Sequence, residues 1–140
     1  MIKKSVVGII LKNKRFLLQL RDNKKNIIFP NKWGFFGGEV NINEHHHTAI
    51  KRELYEELNI KNFRTLKFIN SHFDPKYNSI FYIYKIVLDE NIILKEGADC
   101  DFFFEYQILK GKKSRKHNSF HEAAEIQLMN KILKMSKRFL

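Results

Sequence analysis

Residues 38–60 constrain this chain more than any other part of its sequence. Around Arg52 they hold a group of acidic residues: Glu44, Glu53, Glu56 and Glu57. Such a density of carboxylates is unexpected in a chain whose formal net charge is +11. Carboxylates three or four residues apart repel one another along a helix, whereas a divalent cation such as Mg²⁺ turns the same groups into ligands. The segment therefore indicates a divalent-metal site.

The order of residues in this segment predicts a helix. Asn43 is a favourable N-cap residue, and Glu44 would then lie in the first turn, where a negative charge suits the helix dipole. No residue from there to Leu58 breaks a helix. Asn59 is predicted to end the helix in the left-handed conformation. We therefore expect a helix over residues 43–58, entered through a Gly-Gly turn.

This helix would have one apolar face and one acidic face. The apolar stripe recurs every four residues and consists of Ile50, Leu54 and Leu58. The acidic face carries Glu53, Glu56 and Glu57. A solvated amphipathic helix with incidental glutamates is the alternative. The number of acids, their spacing and the preceding glycines favour the metal site.

The same segment resembles the Nudix box, whose pattern is G-x5-E-x7-R-E-U-x-E-E-x-G-U, where U is a bulky aliphatic residue. The matching positions are Gly38, Glu44, Arg52, Glu53, Leu54, Glu56, Glu57 and Ile60. Asn59 replaces the second glycine, and asparagine is the next-best residue for a left-handed backbone. Phe36 stands where the family often has proline before the glycine pair. The box covers 23 of the 140 residues, and the layout of the remaining chain is loosely similar to small MutT-type members.

The resemblance implies an α/β fold, an α/β/α sandwich with a mixed sheet between helices. It implies Mg²⁺-dependent hydrolysis of a phosphoanhydride in a nucleoside diphosphate linked to a group X, with Mn²⁺ as a substitute ion. The favoured substrate is a (deoxy)nucleoside triphosphate, which would give monophosphate and pyrophosphate. The implied metal ligands are Glu53, Glu56, Glu57 and the carbonyl of Gly38. An ion pair between Arg52 and Glu44 would orient the carboxylates, and the acid that takes the proton from water stays open.

Four candidate residues lie outside the box. Glu96 stands in a Lys-Glu-Gly context like that of a metal-binding glutamate in a MutT-type protein, and an ordinary turn residue is the alternative. Arg21, at the end of a predicted strand, is a candidate phosphate contact. Phe35 is a candidate for stacking on a base, although aromatic residues in strands are more often core. Asn118 is a candidate contact to a purine edge, with helix capping as the alternative.

The remaining chain reads as strands joined by turns. The predicted strands cover residues 5–11, 16–21, 32–35, 63–73, 79–88, 92–94 and 100–105. Asn13-Lys14 is a predicted hairpin turn between the first two. Residues 119–122 read as a capping box that opens a final helix to about Lys137, with a buried stripe of Ala124, Leu128 and Ile132. We expect a single domain over residues 1–140.

Composition excludes several classes of protein. Hydrophobic residues make up 44% of the chain, yet no apolar run reaches transmembrane length and the N-terminus does not read as a signal peptide. We therefore expect a cytoplasmic protein, as a monomer or homodimer. The single cysteine, Cys100, excludes an internal disulfide and a zinc cluster built on cysteines. His45, His46 and His47 point in three directions on a helix, so we expect an exposed first turn and no metal site there.

The net charge of +11 favours a polyanionic partner. It would attract a small nucleotide to the acidic metal site, or it would favour RNA through phosphate contacts. The runner-up function is therefore an RNA 5′-end pyrophosphohydrolase. Hydrolysis of ADP-ribose or of a nucleotide sugar, and a non-catalytic nucleotide-sensing module, are further alternatives. No aromatic-basic signature of RNA binding accompanies this charge, so a small nucleotide stays the favoured substrate.

Overall fold

A mixed β-sheet forms the centre of the fold. The computed structural model describes residues 1–20, 33–89, 100–109, 114–116, 119–121 and 126–137. In these ranges the sheet has seven strands: β1 (Lys3–Lys12), β2 (Arg15–Leu20), β3 (Trp33–Gly34), β4 (Phe36–Glu39), β5 (Phe63–Asp74), β6 (Ser79–Leu88) and β7 (Cys100–Phe104). Their order is β3-β2-β1-β6-β5, with β4 paired to β1 and β7 paired to β2. β1 and β6 run parallel, and the other pairs are antiparallel.

Helices cover both faces of this sheet. They are α1 (His46–Leu58), α2 (Glu105–Leu109) and α3 (Ile126–Ser136), and a hairpin of β8 (Ser114–Lys116) and β9 (Ser119–His121) precedes α3. Along β1, Val6 and Ile10 belong to the core cluster beneath α1, whereas Val7 and Ile9 belong to the cluster beneath α2 and α3. Such burial on both faces is typical of a central strand. The predicted α/β/α sandwich is confirmed.

The local elements follow the turn chemistry of the sequence. Asn13 and Lys14 both have positive φ, 51° and 62°, which is the backbone of a type I′ hairpin turn. The predicted turn between β1 and β2 is therefore confirmed. Among the described residues, no helix combines the length and the apolar character needed to span a membrane.

The start of α1 differs from the prediction. Asn43 is not the N-cap, because its φ of 64° places it in a left-handed turn before the helix. The N-cap is His45, whose side-chain Nδ1 accepts a hydrogen bond from the backbone N–H of His47 at 3.1 Å. Glu44 consequently lies in the loop and not in the first helical turn. Asparagine suits both an N-cap and a left-handed turn, so the sequence alone did not separate the two.

The end of α1 is as predicted. Asn59 adopts φ 55° and ψ 34°, which is left-handed, and its backbone N–H donates to the carbonyl oxygen of Tyr55 at 2.9 Å. Ile60 then turns back against the helix and is buried. Asparagine therefore performs the task of the glycine that it replaces.

The glycine pair lies in a strand and not in the predicted turn. Gly37 and Gly38 belong to β4, opposite Val7 and Val6 of β1. Gly37 has φ 152°, and a Cβ built there would lie 1.9 Å from the carbonyl oxygen of Val6. Gly37 is thus required for the close approach of β4 to β1, which the predicted turn did not anticipate.

The C-terminal part also differs from the prediction. Residues 119–121 form β9, and the described part of the last helix begins at Ile126 and ends at Ser136, close to the predicted end. Ile132 is buried, as expected. The predicted strand 92–94, Ala124 and the side chain of Leu128 lie outside the described residues. The helix α2 and the strand β8 were not predicted, since each is too short to show a clear period.

Two isoleucines test how strongly α1 is held to the sheet. Ile50→Ala should lower the free energy of unfolding by about 2–5 kcal/mol, because Ile50 is fully buried (0% exposed) and its loss leaves a cavity. Ile42→Ala is the matched control, because Ile42 is 93% exposed and should change stability little. Urea unfolding of both variants checks this, and equal losses would contradict the packing of α1.

Candidate active site

Arg52 lies at the centre of the acidic cluster. Its Nε and Nη2 form a bidentate ion pair with the carboxylate of Glu44, at 2.8 and 3.0 Å. Its Nη1 donates to Glu53 Oε1 at 2.9 Å and to Glu56 Oε2 at 3.3 Å. Its Nη2 also donates to the carbonyl oxygen of Glu39, the last residue of β4, at 2.9 Å. One guanidinium group therefore joins the strand, the loop and the helix.

The pair of Arg52 and Glu44 is fixed in its charged form. The hydrogen bonds from Arg52, followed by the backbone N–H of Asn41 at 3.0 Å, lower the pKa of Glu44 to about 2. Glu44 in turn raises the pKa of Arg52 above its ordinary value. The two side chains are 12% and 25% exposed, so neither moves freely in solvent. Glu44 acts here from the loop, where its carboxylate reaches the guanidinium edge-on.

Gly38 leaves room for the carboxylate of Glu53. A Cβ built at Gly38 would lie 2.4 Å from Glu53 Oε1 and 2.6 Å from its Cδ. Any other residue at position 38 would therefore displace this carboxylate. Glu53 is 14% exposed and is held between β4 and Arg52. The structure thus brings together Gly38, Glu44, Arg52 and Glu53, as the motif suggested.

The other two acids of α1 are more exposed. The side chain of Glu56 is 55% exposed, and Glu57 lies exposed one turn after Glu53. In the described ranges, no three carboxylate or imidazole groups are close enough to enclose a metal ion with their side chains as placed. Arg52 Nη1 bridges Glu53 and Glu56, so a cation shared by these two requires Glu56 to turn away from Arg52. The exposure of Glu56 permits that rotation. We call the space beside the backbone of Gly38, which the carboxylate of Glu53 fills, the cradle at Gly38. Carboxylate oxygens beside this cradle fit a hard divalent ion.

His46 contradicts the expectation of a fully exposed first turn. Its ring stacks on Tyr82 with centroids 4.2 Å apart and planes 5° apart, and its Nδ1 is hydrogen-bonded to the hydroxyl of Tyr84. His45 and His47 are exposed, as expected. The alternation that puts Tyr82 and Tyr84 on one face of β6 is the signal that could have revealed this contact.

The environment of His46 keeps its imidazole neutral. Burial, followed by the neighbouring His45 and His47, lowers the pKa of His46 below 6.5. Burial also raises the pKa of Tyr84 to about 12, so its hydroxyl stays protonated. The Tyr84 O–H can therefore donate to Nδ1 of a neutral ring. These contacts hold the first turn of α1 on β6.

The remaining candidates fall into two groups. Arg21, Glu96 and Asn118 lie outside the described residues, so their assignments stay predictions. Phe35 is 9% exposed and belongs to the core cluster beneath α2 and α3. Its carbonyl oxygen accepts a hydrogen bond from the side chain of Gln19 at 3.4 Å. This position favours the core role for the ring of Phe35.

Comparisons with known proteins agree with the fold and the motif. The family model of the NUDIX domain matches residues 2–124. Among curated proteins, none is similar enough in sequence to count as a relative.

Solved structures show the same fold. A MutT protein from Methanosarcina mazei Go1 has 17% identity and a TM-score of 0.67, covering 98% of this chain and 94% of its own. A mutT/nudix family protein from Listeria innocua has 16% identity and a TM-score of 0.68, covering 98% and 93%. The NUDIX domain of Shewanella oneidensis NrtR, complexed with ADP ribose, has 14% identity and a TM-score of 0.68, covering 100% and 90%. At these identities the likeness concerns the fold.

The ion pair of Glu44 gives stability a specific dependence on pH. Because the folded pKa of about 2 lies below the ordinary 4.5, the pair contributes stability above about pH 4.5, and this contribution is lost as the pH falls through about 2. Glu44→Gln should therefore be less stable than the parent protein at pH 7, and the difference should shrink between pH 4.5 and 2. Urea unfolding across this range measures it. Glu39→Gln is the control, since Arg52 bonds the backbone of Glu39, and a difference for Glu44→Gln that is constant with pH would contradict the ion pair.

His46 makes the stability of the fold depend on pH in a second, higher range. Its lowered folded pKa means that the unfolded state takes up the proton first, so stability falls as the pH drops from 6.5 through the folded pKa. His46→Phe keeps an aromatic ring on Tyr82 and should remove this part of the acid sensitivity. Thermal unfolding between pH 7.5 and 5 compares it with His47→Gln, which removes an exposed histidine and only the smallest of the three causes of the lowered pKa of His46, and which should keep most of the slope. Equal pH slopes for all three proteins would show that His46 is not held neutral.

Proposed function

The chain belongs to the NUDIX family, and from this premise we propose that it cleaves (deoxy)nucleoside triphosphates to monophosphate and pyrophosphate. The family membership makes it a Nudix hydrolase, acting on a nucleoside diphosphate linked to a group X. The observation that carries the proposal is the network of Arg52. It holds Glu53 beside the open backbone of Gly38 and keeps Glu56 one turn away on the same helix.

The acids of α1 are suited to hold a divalent ion. Nudix hydrolases generally use an ion such as Mg²⁺, which when bound neutralises phosphate charge and acidifies a water molecule. In the proposal, Glu53, Glu56, Glu57 and the carbonyl of Gly38 hold that ion. Glu96 is kept as a further proposed ligand.

Arg52 and Glu44 have a positioning role in this proposal. Arg52 is anchored to Glu44 and to the carbonyl of Glu39. Its Nη1 therefore holds the carboxylate of Glu53 in one position through a hydrogen bond. A carboxylate that is already fixed loses little conformational freedom when substrate binds. A carboxylate of the α1 acids, or an acid of a neighbouring loop, then accepts the proton from the attacking water.

The charge of the chain favours a substrate with several phosphates. A net charge of +11 attracts polyanions from a distance, and the acidic cluster then selects those that arrive with divalent ions. ADP-ribose, which is bound in the NrtR domain structure, also contains a pyrophosphate and is the rival substrate class. Arg21 and Asn118 are proposed contacts to phosphate and base respectively.

Substitution of the acids separates ligands from positioning residues. Glu53→Gln and Glu57→Gln should each lower kcat by at least about a hundredfold, more than the 10–100-fold loss typical of groups that support a metal ligand. Glu44→Gln should fall within that 10–100-fold range, because it acts through Arg52. Glu39→Gln is the matched control on β4 and should keep near-normal rates. Near-normal rates for both Glu53→Gln and Glu57→Gln would remove them as ligands.

A substrate screen tests the proposed reaction itself. The protein with Mg²⁺ is incubated with nucleoside triphosphates, ADP-ribose, nucleotide sugars and dinucleoside polyphosphates, and products are identified by mass. Monophosphate with pyrophosphate from triphosphates is the expected result, and excess chelator should abolish it. Faster cleavage of ADP-ribose would replace the proposed substrate class. Binding of nucleotides without any product would indicate a sensing module instead.

A further inference from the structure

An exposed row of basic and aromatic side chains crosses three strands. The registers pair Lys12 of β1 with Arg15 of β2, and Arg15 with Phe104 of β7. Residues paired across antiparallel strands share a face of the sheet, so the three side chains form one row. Tyr106 extends it, because its ring lies parallel to that of Phe104, with centroids 5.8 Å apart and planes 11° apart.

The row is held in place by its neighbours. The guanidinium of Arg15 lies 5.4 Å from the ring centre of Phe102 and 5.9 Å from that of Phe104. The backbone N–H of Phe104 donates to Oε1 of Gln107 at 2.7 Å, which fixes the corner between β7 and α2. These contacts hold Arg15 beside the rings and fix the backbone that carries Phe104, which lowers the entropy cost of binding.

The aromatic members of the row face solvent. Phe104 is 43% exposed and Tyr106 is 52% exposed. Lys12 is exposed and Arg15 is partly exposed. Glu105 follows Phe104 in the chain, and its carboxylate forms an ion pair with Nζ of Lys137 at 3.4 Å. A surface of two cations and two partly exposed rings suits a ligand that carries both phosphates and flat bases.

The row lies on the same face of the sheet as α1. Two residues before Lys12, two after Arg15 and two before Phe104 lie Ile10, Leu17 and Phe102, which therefore share the face of the row. Ile10 and Leu17 belong to the core cluster beneath α1, and Phe102 packs against it. Along β1, the cradle at Gly38 pairs with Val6, and the row begins at Lys12. At about 3.3 Å per residue, these six steps place the row ~20 Å from the cradle. This is too far for the base of a mononucleotide whose phosphates lie at the cradle.

From these observations, the geometry points to a binding platform for single-stranded RNA, formed by Lys12, Arg15, Phe104 and Tyr106. Bases stack on the two rings and phosphates contact the two cations, which is how single strands are bound without sequence preference. RNA is the occupant because its chains begin with a 5′-triphosphate, the group that the acidic cluster is suited to cleave. This inference rests on the proposed pyrophosphate chemistry for the 5′ end. The platform itself does not depend on that chemistry.

The length of the occupant follows from the separation of the two sites. At about 3.4 Å per stacked nucleotide, ~20 Å corresponds to roughly six nucleotides between the 5′ phosphates and the platform. A strand of about ten nucleotides would therefore reach both, within the ~4–16 nucleotides that single-strand binding folds cover.

Binding is tested without catalysis. A fluorescent ten-nucleotide RNA with a 5′-hydroxyl is titrated with the full chain in chelator, and anisotropy is measured. Phe104→Ala with Tyr106→Ala should weaken binding by about tenfold or more. Phe73→Ala is the matched control, because Phe73 is 45% exposed on edge strand β5. Equal affinities for the parent, the double variant and Phe73→Ala would overturn the platform.

The cations are tested through salt dependence. Lys12→Gln with Arg15→Gln should reduce the slope of log K against log salt by roughly 1.4, the value for two lost phosphate contacts to a single strand. Arg64→Gln with Lys67→Gln removes the same two kinds of charge from β5 and should leave the slope nearly unchanged. An equal loss in both double variants would show a diffuse charge effect and overturn the proposal. A fully paired RNA duplex should bind more weakly than the single strand, and tighter binding of the duplex or of a DNA strand would overturn the assignment.

Hydrolysis separates the platform from the proposed function. On a 5′-triphosphorylated ten-nucleotide RNA, Phe104→Ala with Tyr106→Ala should raise KM by about tenfold. The same variant should keep kcat/KM for free nucleoside triphosphates, because these do not reach the platform. If the parent protein binds the 5′-hydroxyl strand but cleaves no triphosphate, the proposed function fails and the platform stands. If it cleaves free triphosphates and the double variant shows unchanged RNA kinetics, the platform fails and the function stands.

Discussion

The arrangement of this site depends on one guanidinium group. Arg52 donates to the carbonyl that ends β4, to a carboxylate of the loop and to two carboxylates of α1. Without it, Glu53 and Glu56 would repel each other on the helix, and Glu44 would lose its ion pair with α1. The cation thus stabilises the same acids that a divalent ion would bind. In the proposed mechanism, Glu53 would already be in position for a metal ion, and Glu56 would need only to rotate away from Arg52.

The helix that carries these acids is fixed at both ends by different means. Its first turn is capped by His45 and is held to β6 by the ring of His46 on Tyr82. Its last turn ends at Asn59, in the left-handed conformation, and Ile60 is buried behind it. Between these ends, its apolar stripe packs on the central strands. A side chain on a helix held at both ends keeps its position relative to the sheet, as the proposed metal-binding role of these carboxylates would require.

The sequence predicted much of this arrangement, because its informative signals are local. The period of the apolar stripe, the αL preference of Asn59 and the turn at Asn13 depend on near neighbours in the chain. The ion pair of Arg52 with Glu44 was likewise expected from the motif. The start of α1 was not, because Asn43 satisfies two local rules and only the tertiary position of Glu44 decides between them. The stack of His46 on Tyr82 was also missed, since it joins residues 36 positions apart.

The basic and aromatic row shows the same limit more sharply. Lys12 and Arg15 are separated from Phe104 by most of the chain, so the linear sequence shows no aromatic-basic signature. The pairing of β2 with β7 creates the row, and a shift of one residue would send Phe104 to the opposite face. The same registers set its distance from the cradle at Gly38. The sheet therefore fixes both the existence of a second anionic-ligand surface and its separation from the acids. A chain of net charge +11 that concentrates carboxylates beside Gly38 can present its cations elsewhere on the same face. In the proposed complex, the two ends of one RNA segment would therefore meet opposite kinds of charge.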